Sequence, residues 1–180
     1  HCYNGIGVCQ TMYVSLNDPI KIVNVSIENQ TDHKRELSLF YYAEWILGVN
    51  REKSAQFIVT DYRGDANCML AYNHYNEEFP DNAAFISSSL PIESYTSSRS
   101  EFLSRYGSLK QPLAMNREYL SNCAGVCHDP CTVLQVKVSL TPGEKKTVLF
   151  LLGQGESREE AIKLVKEYQS MDRASNTLFE

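Results

Sequence analysis

The stretch Pro142-Gly143-Glu144-Lys145-Lys146-Thr147-Val148-Leu149-Phe150-Leu151-Leu152-Gly153 decides how this chain is read, together with what stands on either side of it. In Thr141–Glu144 a Pro occupies the second position and a Gly the third. That pair predicts a tight turn, because Pro presets φ and Gly takes positive φ at no steric cost. Upstream, Leu134, Val136, Val138 and Leu140 recur with the period of two expected of a strand. Downstream, Val148 to Leu152 is an apolar run of strand length. Strand, turn and strand together predict a hairpin. Ser157 and Glu160 then form a capping box, which satisfies two orphan amides at a helix start. Ala161, Leu164, Val165 and Tyr168 give that helix one apolar face. Beyond Met171 the sequence turns polar, and a frayed end is expected.

Working outward, Val23, Val25 and Ile27 share one face of a strand over residues 21–27. Asn29 to Lys34 is a polar turn. Leu37, Leu39, Tyr41, Ala43 and Trp45 alternate with Glu36, Ser38, Phe40, Tyr42 and Glu44. That is a long strand with aromatic residues on both faces, as in a sheet covered on both sides. Shorter strands are expected at 57–62, 68–72 and 83–87. Residues 99–106 predict a short helix inside a connection of roughly 45 residues, a length that marks functional loops. Many short strands between turn signals give a mainly β sandwich with a C-terminal helix.

At 180 residues, 43% hydrophobic and 22% charged, the chain has the size and composition of one globular domain. A net charge of −5 argues against a nucleic-acid partner, for which a basic stripe is needed. No apolar run approaches the ~18 residues of a membrane span. The start, His1-Cys2-Tyr3-Asn4-Gly5, has neither the basic n-region nor the apolar core of a signal peptide, and reads as a chain taken up in mid-fold.

The chemistry-bearing residues form no self-sufficient active site. Cys123, Cys127 and Cys131 with His128 are the obvious metal candidate, but Gly125 and Pro130 break the helix that would align the thiols. They are read as buried or inert cysteines, with no metal and no cofactor expected. The pairs Glu77/Glu78, Asp61/Asp65 and Glu159/Glu160 are too close in sequence to flank a glycosidic bond at ~5–9.5 Å, and are read as solvated charge. Neighbouring Cys127 and His128 diverge, and no nucleophile elbow, phosphate loop or dinucleotide fingerprint occurs. The sequons at Asn24 and Asn29 are read as chance matches. One segment suits ligand contact: Arg99, Glu101, Arg105 and Tyr106 put planar donors and a ring face in the long connection. The competing expectation is that the arginines pin the loop to its own carbonyls.

Several stretches together resemble one family. Asn29 with Arg35-Glu36-Leu37, Tyr42-Ala43-Glu44-Trp45-Ile46-Leu47-Gly48, Arg99-Ser100-Glu101-Phe102-Leu103, Leu120 through Asp129-Pro130-Cys131, and Pro142-Gly143-Glu144 with Phe150-Leu151-Leu152-Gly153 are similar to motifs of the N-terminal β-domain of glycoside hydrolase family 94. This is the family of cellobiose and chitobiose phosphorylases and cyclic β-1,2-glucan synthases, formerly glycosyltransferase family 36. The resemblance covers residues 20–170. The chain departs from the pattern at Ser104, where the family has Gly, and at Asn122-Cys123, where it has Gly-Arg.

The resemblance implies a galactose-mutarotase-like supersandwich, lacking its first strands, over residues 1–155, and a helix at 156–180 leading to the linker of a parent enzyme. It implies an (α/α)6 barrel elsewhere in that enzyme, which carries the catalytic residues, so no catalytic residue is expected in this chain. The implied work is that of a non-catalytic, carbohydrate-associated domain of a bacterial glycoside phosphorylase or β-glucan-synthesising enzyme that acts with inversion. It would pack on the barrel, shape the sugar site and contribute to a homodimer, with a β-gluco-oligosaccharide as ligand. Arg99, Glu101, Arg105 and Tyr106 are the expected ligand or subunit contacts. The implied location is the cytoplasm, or the cytoplasmic side of the inner membrane in a glucan synthase. Two alternatives stand beside this: a free-standing carbohydrate-binding module using Tyr41, Tyr42 and Trp45, and a structural oligomerisation domain pairing exposed sheet edges.

Overall fold

The computed structural model describes residues 1–178. Its strands are β1 (Cys2–Tyr3), β2 (Ile6–Val14), β3 (Ile20–Asn29), β4 (Arg35–Glu44), β5 (Val59–Arg63), β6 (Cys68–Tyr72), β7 (Ala83–Ser88), β8 (Ser94–Ser98), β9 (Gly125–Val126), β10 (Pro130–Leu140) and β11 (Lys145–Gly155). Helices are α1 (Arg51–Ser54), α2 (Arg99–Leu103), α3 (Arg158–Tyr168) and α4 (Met171–Thr177). Among the described residues the strands form an eight-stranded sheet in the order β1-β2-β3-β11-β7-β6-β5-β9 and a three-stranded sheet in the order β4-β10-β8.

The expected turn forms, but the hairpin does not. The Glu144 amide donates to the Thr141 carbonyl at 3.1 Å, and Gly143 takes φ +73. The strands on either side belong to different sheets: β10 lies between β4 and β8, and β11 between β3 and β7. Both are largely buried, so each needs a strand neighbour on both edges, and long-range partners satisfy that need better than each other. The turn is therefore the bridge between two sheets. Asn29, fully buried, holds it there. Its Nδ2 donates to the carbonyls of His33, Leu140 and Thr141 at 2.8, 3.2 and 3.1 Å, while Oδ1 accepts from the Thr31 amide at 3.0 Å. An amide so engaged is no glycan acceptor.

The sheets stack face to face. Val23, Ile27, Val148 and Phe150 of the large sheet meet Val136, Val138 and Leu140 of the small one, with Leu37, Leu39 and Tyr41 closing the cluster. Trp45, Met69, Ala84, Ile86 and Leu134 continue that interior. The outer face of the large sheet carries α3, whose Ala161, Leu164, Val165 and Tyr168 are buried against Ile22, Leu70, Phe85 and Leu149. Burying a Leu or Val side chain stabilises by roughly 1.5–3 kcal/mol, so this face holds the helix firmly. The outer face of the small sheet is also covered: Phe40, Tyr42, Cys131 and Val133 pack under Phe102, Leu103, Ala114 and Leu120. The two-sided aromatic pattern of β4 thus reflects cover on both faces.

Three further differences from the sequence reading have simple causes. Residues 6–14 form β2, whose apolar residues at alternate positions lie in a mostly exposed strand. The long connection contains β8, a polar strand that is nonetheless buried, with Thr96 and Ser97 fully enclosed. Met171–Thr177 form α4 in place of the frayed end expected there, anchored by buried Ala174 and by the Tyr13 hydroxyl, which donates to the Ala174 carbonyl at 2.7 Å, while the rest of that expectation, at 179–180, lies outside the described residues. Trp45 is 5% exposed, so it offers no sugar-stacking face.

Candidate functional site

Four sequence-distant side chains meet where β4, α1, α2 and the entry to β10 converge. Arg51 donates to Glu44 through Nη1 and to Asp129 through Nη2. Arg99 donates to Glu44 through Nε at 3.0 Å and to Asp129 through Nη1 at 3.4 Å. The result is a closed ring of alternating charge, each member about one-third exposed. The Tyr42 hydroxyl adds a further hydrogen bond to Glu44. Burial pushes the Glu44 carboxyl up, but the bonds from Tyr42, Arg51 and Arg99 outweigh it and hold that carboxyl at about 2. Burial and the same Glu44 contact raise the Tyr42 hydroxyl. The bond to Asp129 raises Arg51, and the bond to Glu44 raises Arg99. A carboxylate in this state holds no proton to donate near neutrality, so the ring is a brace between segments.

Local sequence explains the placement. Asn50 caps α1, its side chain accepting from the Lys53 amide at 2.9 Å, which sets Arg51 at the first helical position. Ser98 caps α2 in the same way, accepting from the Glu101 amide, and so sets Arg99. Glu101 turns the other way. Its carboxylate accepts from the Ser121 amide at 2.8 Å, from the Ser121 hydroxyl at 2.6 Å and from the Thr96 hydroxyl, with Arg117 at 3.6 Å.

The four residues singled out in the sequence therefore divide. Arg99 and Glu101 hold the loop in place, through carboxylates and loop groups rather than through the carbonyls anticipated. Arg105 and Tyr106 are free at the surface: Tyr106 is 90% exposed, with the Arg105 guanidinium 5.7 Å from its ring centre. Beside them opens a groove of about 1060 Å³, lined by Ser98, Ser100, Arg105, Cys127 and His128 over the ring arginines. Sequence reasoning missed Arg51, a lone arginine in a polar turn with no pattern to mark it.

Both departures from the family pattern sit at positive φ. Ser104 ends α2 at φ +71, and Asn122 stands at φ +57. Glycine takes such backbone freely, and Asn tolerates it better than Ser. Asn122 is further compensated, because its Oδ1 accepts from the Tyr95 amide at 3.0 Å.

Cys123 and Cys127 lie side by side, and the other cysteines stand apart from that pair in burial. Cys131 and Cys68 are buried, and Cys2, Cys9 and Cys123 are exposed. Burial, with Cys123 alongside, pushes the Cys127 thiol up to about 11. Among the described residues no cluster of three His, Cys, Asp or Glu side chains could hold a metal ion. Among them, too, no helix is long and apolar enough to cross a membrane.

Comparison with known proteins places this geometry. Residues 1–171 match the family described as Glycosyl hydrolase 94, supersandwich domain. The cyclic beta-(1,2)-glucan synthase NdvB of Rhizobium meliloti (strain 1021) is 31% identical over 153 residues, 84% of this chain and 5% of that protein. The N,N'-diacetylchitobiose phosphorylase of Vibrio furnissii is 29% identical over 178 residues, 95% of this chain and 22% of that one. A solved structure of a proposed kojibiose phosphorylase from human microbiome shares the fold, with a TM-score of 0.55 at 12% identity over 97% of this chain and 21% of that one. The chain thus spans less than a quarter of the length of each of these relatives. The ring residues Glu44, Arg99 and Asp129 come from three of the stretches that carried the family resemblance, and the chain belongs to the glycosyl hydrolase 94 family as its supersandwich domain.

Proposed function

We propose that this domain serves, without catalytic residues of its own, in a glycoside phosphorylase or β-glucan-synthesising enzyme, where it packs on the catalytic barrel and shapes the sugar site or the contact between two copies. The observation that carries this reading is the split between one short helix and the two residues just past its end. Arg99 and Glu101 fix α2, and the loop that leaves it presents Arg105 and Tyr106 outward, stacked only on each other among the described residues. A braced platform displaying a cation and a ring is suited to meeting another surface or a sugar. The names of the relatives, a cyclic beta-(1,2)-glucan synthase and an N,N'-diacetylchitobiose phosphorylase, favour a β-linked glucoside or its N-acetyl counterpart as the substrate class.

The test is the pair of substitutions Arg105→Ala and Tyr106→Ala in the full-length polypeptide that carries these residues. Phosphorolysis or transfer on β-glucosides should lose efficiency through KM, or the subunits should dissociate more readily, with the melting temperature of this domain unchanged. Unaltered kinetics and unaltered assembly in the double variant would refute the reading.

A further inference from the structure

A second concavity lies at the end of the sandwich, between the Leu47–Val49 turn and the β6–β7 connection. It has a volume of about 400 Å³ and is lined by Leu47, Asn76, Glu78, Phe79, Asn82 and Gln154 among others. That volume falls within the roughly 300–1,000 Å³ of small-molecule clefts. We propose that this cleft binds a neutral pyranose of an oligosaccharide.

Three observations support the assignment. The first is uncommitted polarity. Among the described residues the side-chain amides of Asn82 and Gln154 and the side-chain carboxylate of Glu78 make no hydrogen bond within the chain. Asn76 uses only its Oδ1, which accepts from the Glu78 and Phe79 amides at 3.1 and 3.2 Å, so its Nδ2 is available. A side-chain amide offers donor and acceptor together, which matches a sugar hydroxyl that needs both. The second is apolar surface of the right kind. Phe79 is 50% exposed at the cleft, a ring on which the C–H face of a pyranose packs. The third is charge. Among the described residues no Lys, Arg or His lines the cleft, and the acidic Glu78 does, so a phosphate or nucleotide is disfavoured and a neutral polyol is favoured.

The rim is also strained in a way that positions it. Leu47 stands at φ +38, a region that a branched side chain rarely adopts. Buried Asn73 fixes it, donating through Nδ2 to the Leu47 carbonyl at 2.7 Å, and the Asn73 Oδ1 accepts from the Tyr75 amide at 3.1 Å. One buried amide thereby locks both walls of the cleft in register. Backbone strain held by such a contact clusters at functional sites.

The choice of sugar rests on the function proposed above; the site does not. Amide chemical shifts of the isotope-labelled chain are followed during titration with a linear β-1,2-linked glucotetraose, and separately with N,N'-diacetylchitobiose. At least one should give saturable shifts confined to Gly48, Asn73, Asn76 to Phe79, Asn82 and Gln154. Phe79→Ala should weaken the apparent affinity about tenfold, the contribution of a single ring contact. Asn82→Ala should also weaken it, while the spectrum elsewhere stays unchanged. Absence of saturable shifts at millimolar sugar with both probes overturns the proposal. So do shifts that centre on Arg105 and Tyr106, which would leave the proposed function standing.

Discussion

Arg99 donates to Glu44 at 3.0 Å across fifty-five residues of sequence, and through that contact the first helix of the long loop is tied to the last residue of β4. Glu44 has a folded value near 2 against an ordinary value of 4.5, so the folded state binds a proton there less readily than the unfolded one. Its contribution to stability is complete above the unfolded value and is lost as pH falls from about 4.5 toward 2. Glu44→Gln should therefore lower the melting temperature at pH 7. The gap between variant and parent should close as thermal unfolding is repeated from pH 5 down to pH 2.5. A gap that stays constant over that range would mean that the ring contributes nothing through charge.

Ser104 and Asn122 call for opposite responses to glycine. Ser104→Gly relieves a positive φ at no evident loss of contact and should stabilise by about 1 kcal/mol. Asn122→Gly relieves φ as well but removes the acceptor for the Tyr95 amide, and should be neutral or destabilising. Denaturant midpoints at equal m-values compare the two directly.

Gly153 lies opposite Phe85 in the β11–β7 register. A Cβ there would stand 2.6 Å from the Phe85 ring and 2.7 Å from the Pro19 carbonyl. Gly153→Ala should cost roughly 1–3 kcal/mol, as overpacking does. Combined with Phe85→Leu, the two losses should sum to less than their separate values, which a double-mutant cycle in urea reads out.

The thiols should report burial in rank order. Cys2, Cys9 and Cys123 are exposed and should react within the mixing time of an aromatic disulfide reagent at pH 8. Burial pushes Cys68 up to about 12, and burial raises Cys131 as well. Those two should react only after denaturant is added, with Cys127 between the groups. Fast labelling of Cys131 in the native protein would contradict the cover provided by Phe102 and Leu120.

Much of the fold was legible because apolar patterning survives in it: β3 alternates, β4 carries apolar residues on both of its covered faces, β6 and β7 are short apolar runs between turn signals, and α3 shows an apolar face at helical spacing. What escaped had no such signature. The buried polar strand β8 earns its place through hydrogen bonds such as Thr60 to Ser97 at 2.7 Å, which no hydropathy pattern encodes. A turn signal fixes local geometry but not which sheet receives the next strand, so Thr141–Glu144 read correctly as a turn and wrongly as a hairpin. At the candidate site, residue type pointed to the loop, yet it could not separate Arg99 and Glu101, whose charges are paired internally, from Arg105 and Tyr106, which face outward.

The bridge at Thr141–Glu144 also sets an order of events during synthesis. β3 waits for β11, since Glu28 pairs with Lys145, and β4 waits for β10, since Arg35 pairs with Leu140. A ribosome that has reached residue 120 has released three long strands, and β4 then has no partner on either edge. Such non-local pairing slows folding and leaves apolar edges open to other chains. Once residues 130–155 emerge, two central strands arrive on either side of one short turn and close both sheets almost together. Truncations ending before Pro130 should thus be captured by chaperones or aggregate, while those ending just after Gly155 already hold all eleven strands of the described residues.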